Sequence, residues 1–510
     1  MKTHSFEFGC KFRTCILGLI RLELDSMSLN KKNKIQKDLK ETVNSESSEF
    51  DGAVQPEADV IRAEILLKVA EYSKIRWPKA EYIPGKTPAP YAGRVFDEQD
   101  VVSLVDASLD FWLTSGRFSR QLEKELANYV GVAHCRLVNS GSSANLVAFS
   151  TLTSPRLGER RIKRGDEVIT VAAGFPTTVA PIVQFGAIPV FIDVDPLTDN
   201  VDVTLLEQAV SDRTKAVMIA HTLGNPFDLD AVLEFCNRHE LWLIEDNCDA
   251  LGTEYTSLRS GIAVTKRTGS FGHLSTTSFY PAHQMTTGEG GAVYTNDDEL
   301  ALIAESFRDW GRDCYCAPGR SNTCGKRFDQ CMGELPAGYD HKYTYSHFGY
   351  NLKMTDMQAA IGVTQLLKLP DFVDARRSNF EYLKSGLAKY ANVLRLPEAT
   401  KNSNPCWFGF LVSVQPEFRS VLSRDSFVSA LEAARVQTRM LFAGNLTRQP
   451  CFDEMREEGT GYRQVGSLEN TDNLMNNAFW FGVYPGMTLK HLDHIIEVIG
   501  IQVSNIDKVQ

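Results

Sequence analysis

Short β-branched apolar runs, separated by helical segments, constrain this chain more than any other feature. CRLVNS (135–140) precedes GSSANLVAFSTL, EVITV (167–171) precedes PTTVAPIVQFG, and IPVFIDVD (188–195) precedes VTLLEQAVSD. KAVMIAHT (215–222) precedes DLDAVLEFCNRH, and LWLIED (241–246) follows. The runs are continuous rather than alternating, as parallel strands are when helices cover both faces of a sheet. The pattern predicts an α/β doubly wound, mostly parallel sheet in a large domain over 97–390. Helices around 355–368 and 370–390 then carry the chain away. Residues 391–510, with FGFLVSV and SFVSALEAAR, read as a smaller α+β domain. Upstream, Val60, Ile61, Ile65, Leu66 and Val69 lie at helical intervals, and a Pro- and Gly-bearing link completes 57–96. Residues 1–56 read as a polar, disordered extension. Within it, Met27 opens its own polar start, which makes 1–26 an upstream addition.

Charge and hydropathy remove whole classes of function. The net charge of −10 gives a nucleic-acid partner no electrostatic support. No apolar run approaches the ~20 residues that span a bilayer, and CILGLI (15–20) lacks a cleavage site after it. The chain therefore reads as cytoplasmic. Its 11 cysteines are odd in number and argue against a disulfide framework. Four of them, Cys314, Cys316, Cys324 and Cys331, fall within 18 residues.

Ligands of open α/β sheets bind beyond the carboxyl ends of the strands. After CRLVN stands SGSSAN (140–145), where Gly141, Ser142 and Ser143 would form a phosphate cradle at a helix N-terminus, or simply an N-cap made by Ser142 or Ser143. After EVITV stands Phe175, placed to lie over an aromatic cofactor. After LWLI stands Asp246, which can keep a pyridinium nitrogen protonated or can cap the next helix. The stretch SFYPAHQMTTGEGGAV (278–293) then centres on His283.

That order resembles the pyridoxal-phosphate enzymes of the aspartate-aminotransferase fold (fold type I). It most resembles the sugar aminotransferases that act on nucleotide-linked keto-sugars. GYNLKMTDMQAAIG (349–362) is similar to a segment whose Asn reaches the cofactor phosphate of a neighbouring subunit, which implies a homodimer. The resemblance covers residues 97–510. It implies that Ser142, Ser143, Ser278 and Asn351 hold phosphate, that Phe175 stacks on the ring, and that Asp246 pairs with its nitrogen. Asp249 stands where the family usually has Gln or His beside the ring hydroxyl.

His283 occupies the place of the family's lysine. Imidazole cannot form the lysine's covalent link to the cofactor aldehyde. The cofactor would then be held noncovalently as pyridoxamine 5'-phosphate (PMP), and a histidine suits proton removal from its C4′ carbon at neutral pH. Electrons released there can expel a hydroxyl at C3 of a 4-keto sugar.

By residue type, Cys248 with C-x-C-x₇-C (314–324) fits [2Fe–2S], structural zinc, or unligated thiols. The resemblance decides between them. RDWGRDCYCAPG with the histidine and Cys248 looks like the iron–sulfur 3-dehydrase branch of the family, which acts on CDP-4-keto-6-deoxyglucose in lipopolysaccharide dideoxysugar synthesis. It implies Cys248, Cys314, Cys316 and Cys324 as [2Fe–2S] ligands, with Cys331 unassigned. The gap of 65 residues after Cys248 is longer than the family pattern, and a surface loop near TSLRSGIAVTKRTG (256–269) would absorb the excess. GEGGAV lacks the setting of a dinucleotide fingerprint, so a separate NAD(P)H-dependent flavin or iron–sulfur reductase is implied. Arg439 and Arg448 are candidates to clamp the substrate diphosphate, or else are solvated charges. HKYTYSHFGY (341–350) is a candidate lining for the sugar pocket. The rivals are a nucleotide-sugar aminotransferase, a PMP dehydratase without a redox centre, and a zinc-stabilised scaffold.

Overall fold

The computed structural model describes residues 56–78, 80–316 and 321–505. The expectations for 1–55, the N-terminal extension among them, lie outside the described residues. The chain forms two compact units divided between Ile65 and Leu66. Of the first, only the start of the helix Pro56–Arg76 is described.

The second unit is built on strands β1 (His134–Val138), β2 (Glu167–Val171), β3 (Ile188–Ile192), β4 (Thr214–Ala220), β5 (Trp242–Asp246), β6 (Glu254–Ser257), β7 (Val264–Arg267), β8 (Leu274–Ser278) and β9 (Gly291–Thr295). The later strands are β10 (Leu394–Arg395), β11 (Ser403–Asn404), β12 (Gly409–Val414), β13 (Thr438–Arg439), β14 (Arg463–Gln464) and β15 (Ala478–Gly482). Eight of these form the central sheet in the order β1-β9-β8-β5-β4-β2-β3-β14. From β14 to β8 every pairing is parallel, and β9 runs antiparallel between β8 and β1.

Neighbouring residues of each central strand feed opposite cores. Val168, Met218 and Ile244 pack with Val147 and Leu300, while Ile169, Val217 and Leu243 pack with Val232 and Phe235. Successive strand side chains point to opposite faces, so a strand covered on both sides has no polar face. This is why the five runs read as unbroken apolar stretches. A second sheet, β10-β12-β15-β13, buries Phe410, Phe427, Phe479 and Phe481.

Two local expectations are corrected. The helices expected at 355–368 and 370–390 are one 32-residue helix, Asp356–Leu387, with Pro370 inside it. Proline removes one backbone donor, but Leu366, Leu369, Phe372 and Val373 are buried on both sides of it and packing carries the helix through. The surface loop expected near 256–269 is instead a β-structure: β6 and β7 pair antiparallel, and β11 adds a third strand.

Candidate active site

The carboxyl ends of β5 and β8 and the helix after β1 converge. Asp246 ends β5, is 4% exposed, and is fixed by three donors. Its Oδ2 accepts from Asn145 Nδ2 (2.8 Å) and Thr178 Oγ1 (2.7 Å), and its Oδ1 accepts from the Cys248 N–H (3.2 Å). Thr276 Oγ1 donates to Asn145 Oδ1 (2.7 Å), which orients that amide. A carboxylate so buried must be hydrogen-bonded, and ligands on strand and helix ends give it a fixed direction.

The helix Gly141–Leu152 is capped by Ser140, whose Oγ accepts from the Ser143 N–H, and not by Ser142 or Ser143. Ser142 is thereby left exposed in the first turn, at the positive end of the helix. Glycine is required at 141: a Cβ there would lie 2.4 Å from Ser278 Cβ and 3.1 Å from Cys248 Sγ. Ser278, at the end of β8, therefore faces the start of this helix, as a phosphate cradle needs. Phe175 caps the helix Pro176–Phe185, half-exposed, with its ring edge-on to Phe442 at 6.3 Å.

His283 follows in the loop after β8. Its side chain is 15% exposed, with Nε2 3.4 Å from Asp249 Oδ1 and the ring tilted on Phe408 at 5.3 Å. His283 Nδ1 and Asp249 Oδ2 are buried with no partner. Burial pushes the Asp249 carboxyl up, and His283 partly offsets this. Gln284 Nε2 donates to the Asp249 carbonyl. Arg376, from the long helix, is fully buried and its hydrogen bonds go to backbone oxygens: Nη2 donates to the carbonyls of Ala282 (3.2 Å) and His283 (3.1 Å), Nη1 to those of Trp407 (3.2 Å) and Phe408 (3.3 Å). A guanidinium has a rigid fork of donors, so this side chain clamps the His283 loop to the segment that enters β12.

These residues fit a PMP-type cofactor. Gly141 lets Ser278 approach a helix N-terminus whose free N–H groups suit a phosphate, Asp246 offers a fixed carboxylate, and two unpartnered buried atoms stand at His283 and Asp249. Asn351 lies apart, exposed, its Oδ1 accepting from Lys353 Nζ (2.8 Å). Arg448 is engaged by Asp472, and Arg439 stacks over Tyr91 at 3.8 Å.

The cysteines divide. Cys248 stays beside Gly141 and Asp246, and burial followed by Asp246 pushes its thiol well above the usual range. Cys314 and Cys316 instead meet His341, with donor atoms all within 4.8 Å of one another. Cys324 Sγ is 3.3 Å from His341 Nε2. Burial opposes the Cys316 thiolate, yet hydrogen bonds from Thr323, Cys314 and the Cys324 backbone bring its pKa down to about 7. Cys331 is exposed. The 341–350 run splits by type. His341 and His347 turn inward, His347 lying between Ser154 Oγ (2.7 Å) and Ser306 Oγ (2.8 Å), while Tyr343, Tyr345 and Phe348 face outward in this chain. Sequence reasoning missed Asn145, Thr178 and Arg376, and took His341 only as part of the run 341–350.

Comparison with known proteins agrees with this layout. The chain is 53% identical over 439 residues to the lipopolysaccharide biosynthesis protein RfbH of Salmonella typhimurium, covering 86% of this chain and 97% of that one. It is 48% identical over 435 residues to a dTDP-4-dehydro-2,6-dideoxy-D-glucose 3-dehydratase of Saccharopolyspora spinosa, covering 85% and 90%. Among solved structures, GDP-4-keto-6-deoxymannose-3-dehydratase, as a histidine-to-asparagine variant with bound GDP-perosamine, superimposes with a TM-score of 0.70 at 27% identity, covering 81% of this chain and all of that one. An aminotransferase from Psychrobacter cryohalolentis matches with a TM-score of 0.70 at 25% identity, over 82% and 100%. The fold is that of the pyridoxal-phosphate-dependent aminotransferases. With residues 96–500 matching its family model, this enzyme belongs to the DegT/DnrJ/EryC1/StrS aminotransferase family.

Proposed function

We propose that the enzyme removes the C3 hydroxyl of CDP-4-keto-6-deoxy-D-glucose, using PMP and a [2Fe–2S] cluster, on a route to a 3,6-dideoxyhexose of lipopolysaccharide O-antigen. The observation that carries this is His283 beside Asp249, in a loop clamped by Arg376, where a covalent lysine would otherwise stand. Bound PMP supplies an amine that condenses with the 4-keto group and a ring that takes up the electrons freed at C4′. His283 removes and returns the C4′ proton. Asp249 Oδ1, 3.4 Å from Nε2, orients the ring for that transfer. Asp246 holds its charge against the pyridine nitrogen, and Phe175 covers the ring. Ser142, Ser143, Ser278 and a second copy's Asn351 hold the phosphate in a homodimer. Arg439 and Arg448 are assigned to the diphosphate, and Arg448 would first exchange its Asp472 partner. A separate NAD(P)H-dependent flavin or iron–sulfur reductase supplies two electrons, one at a time, in the cytoplasm. Among the described residues no helix is long and apolar enough to cross a membrane.

A second reading, a PMP dehydratase without a redox centre, draws support from the solved 3-dehydratase that carries a trapped PLP–glutamate geminal diamine. Iron and sulfide analysis of anaerobically purified enzyme separates the two: about two irons per chain, the content of one [2Fe–2S] cluster, supports the reductive reading, and none removes it. Turnover of CDP-, dTDP- and GDP-linked 4-keto sugars side by side tests the nucleotide, and equal or better use of dTDP overturns CDP.

A further inference from the structure

A small cavity lies under the loop that carries His283. Its lining takes in His283, Gln284 and Thr286 from the loop, Gln365 and Arg376 from the long helix, and Val95 from the N-terminal link. About 10 Å³ is open to the centre of a water, which suits one water molecule. Gln365 and Thr286 are engaged in the frame around it. Gln365 Nε2 donates to the Val95 carbonyl (3.0 Å) and to Asp100 Oδ2 (3.1 Å), and its Oε1 accepts from the Thr286 N–H (3.2 Å). Thr286 Oγ1 donates to the Phe279 carbonyl (2.9 Å).

Three polar atoms of the other lining residues are buried with no partner among the described residues: His283 Nδ1, Gln284 Oε1 and Arg376 Nε. Their chemistry is complementary. Arg376 Nε can only donate, and Gln284 Oε1 can only accept. The Gln284 amide cannot be turned round, because its Nε2 donates to the carbonyls of Asp249 and Cys406, which accept only. Gln284 is 2% exposed and Arg376 1%, so bulk solvent does not serve these atoms. A donor and an acceptor left on one water-sized cavity call for a bridge that both accepts and donates. His283 Nδ1 is shut off from solvent in the same way, which leaves Nε2 as the nitrogen able to meet a substrate. Nε2 stands 3.4 Å from Asp249 Oδ1, beyond the usual range of about 2.7–3.2 Å for a hydrogen bond, so it is not committed there as a donor. To take a proton from carbon, Nε2 needs its lone pair free, and a neutral ring then carries its own proton on Nδ1.

We propose that this cavity holds one structural water, which accepts from His283 Nδ1–H and Arg376 Nε–H, donates to Gln284 Oε1, and so fixes His283 in the tautomer whose Nε2 is free to act as a base. Three hydrogen bonds are the usual complement of a buried water. The inference rests on the proposed function for the role of His283 as base, but the water site itself stands on the cavity and the three unpartnered atoms. Gln284 and Arg376 are then positioning residues that act through His283. A ring in the other tautomer would keep its place and have no lone pair to offer.

The test uses the full chain with PMP bound. A crystal structure should show a water within about 3.2 Å of all three atoms. In protein labelled with ¹⁵N-histidine, the His283 signals are assigned by their loss in His283→Asn. They should show Nδ1 protonated and Nε2 unprotonated. Both measurements are made on wild type and need no variant to fold. Gln284→Met keeps the length of the side chain and removes the acceptor. It should move the proton toward Nε2 and lower kcat at least ~10-fold with KM little changed, within the range of lost acid–base catalysis. A dry cavity overturns the proposal, as does a wild-type ring protonated on Nε2, or a Gln284→Met enzyme whose tautomer and kcat are those of wild type. If the water and the tautomer are found but His283→Asn still turns over, the water site stands and the base role falls. If His283→Asn is inactive and the cavity is dry, the base role stands and the water site falls.

Discussion

The cofactor cradle and the cysteine segment both gather ligand-grade side chains, but the fold holds them by opposite means. In the cradle each group stands on a strand end or a helix start: Asp246 on β5, Ser278 on β8, Asn145 and Thr178 on helices, all buried and hydrogen-bonded. In the segment from Asp309 to Asn351 the regular structure among described residues is the turn His341–Tyr343, and order comes from isolated bridges, Asp309 to Asn351 and Arg312 to Tyr345, and from the Arg327–Asp340 pair. The difference teaches a division of labour. Proton transfer needs groups fixed in advance, and the sheet supplies them. The proposed metal would supply its own organising energy, so ligands such as Cys314 and Cys316 can sit on a loop.

The comparison breaks most visibly at His283. His283→Asn should lower kcat by about 10³-fold, in the range set for lost acid–base catalysis, while PMP still binds in equilibrium dialysis. Retained turnover would remove His283 from the chemistry. Next comes Arg376→Lys, which keeps a charge but loses the fork. Displacement of the His283 loop should lower kcat by ~10²-fold with KM little changed, and a rise in KM alone would show that Arg376 does not act through His283.

The segment should respond to metal where the cradle does not. Chelation is expected to open 309–351 to limited proteolysis and leave PMP affinity unchanged, and equal protection of both states would contradict a metal-organised loop. The smallest effect is a titration. With its pKa brought from 9.0 to about 7, Cys316 becomes mostly thiolate above that pH. Iodoacetamide labelling of metal-free protein at Cys316 should therefore rise through about pH 7. Cys248, half-buried and with its thiol pushed upward, should stay unlabelled across the same range.

Legibility in the sequence follows the same line. EVITV coincides with β2, and LWLIED differs from β5 by one residue, because buried parallel strands need apolar side chains on both faces. Asp246 and His283 were readable because strand ends attract ligands. The passage of one helix through Pro370 was not, since packing on both sides outweighs a local preference. Arg376 was invisible for another reason: its partners are backbone carbonyls, which every residue carries. His341 was read as one of an aromatic run, because only the turn capped by Asp340 reveals that it faces inward while Tyr343 faces out.

The central claim, that His283 moves the C4′ proton of a noncovalently held cofactor, has a direct test. PMP deuterated at C4′ is incubated anaerobically with the enzyme and the 4-keto sugar, without reductase, and isotope loss is followed by mass spectrometry. Wild type should lose one deuterium rapidly and only with substrate, and His283→Asn should retain both. Loss at the same rate in the variant would contradict it.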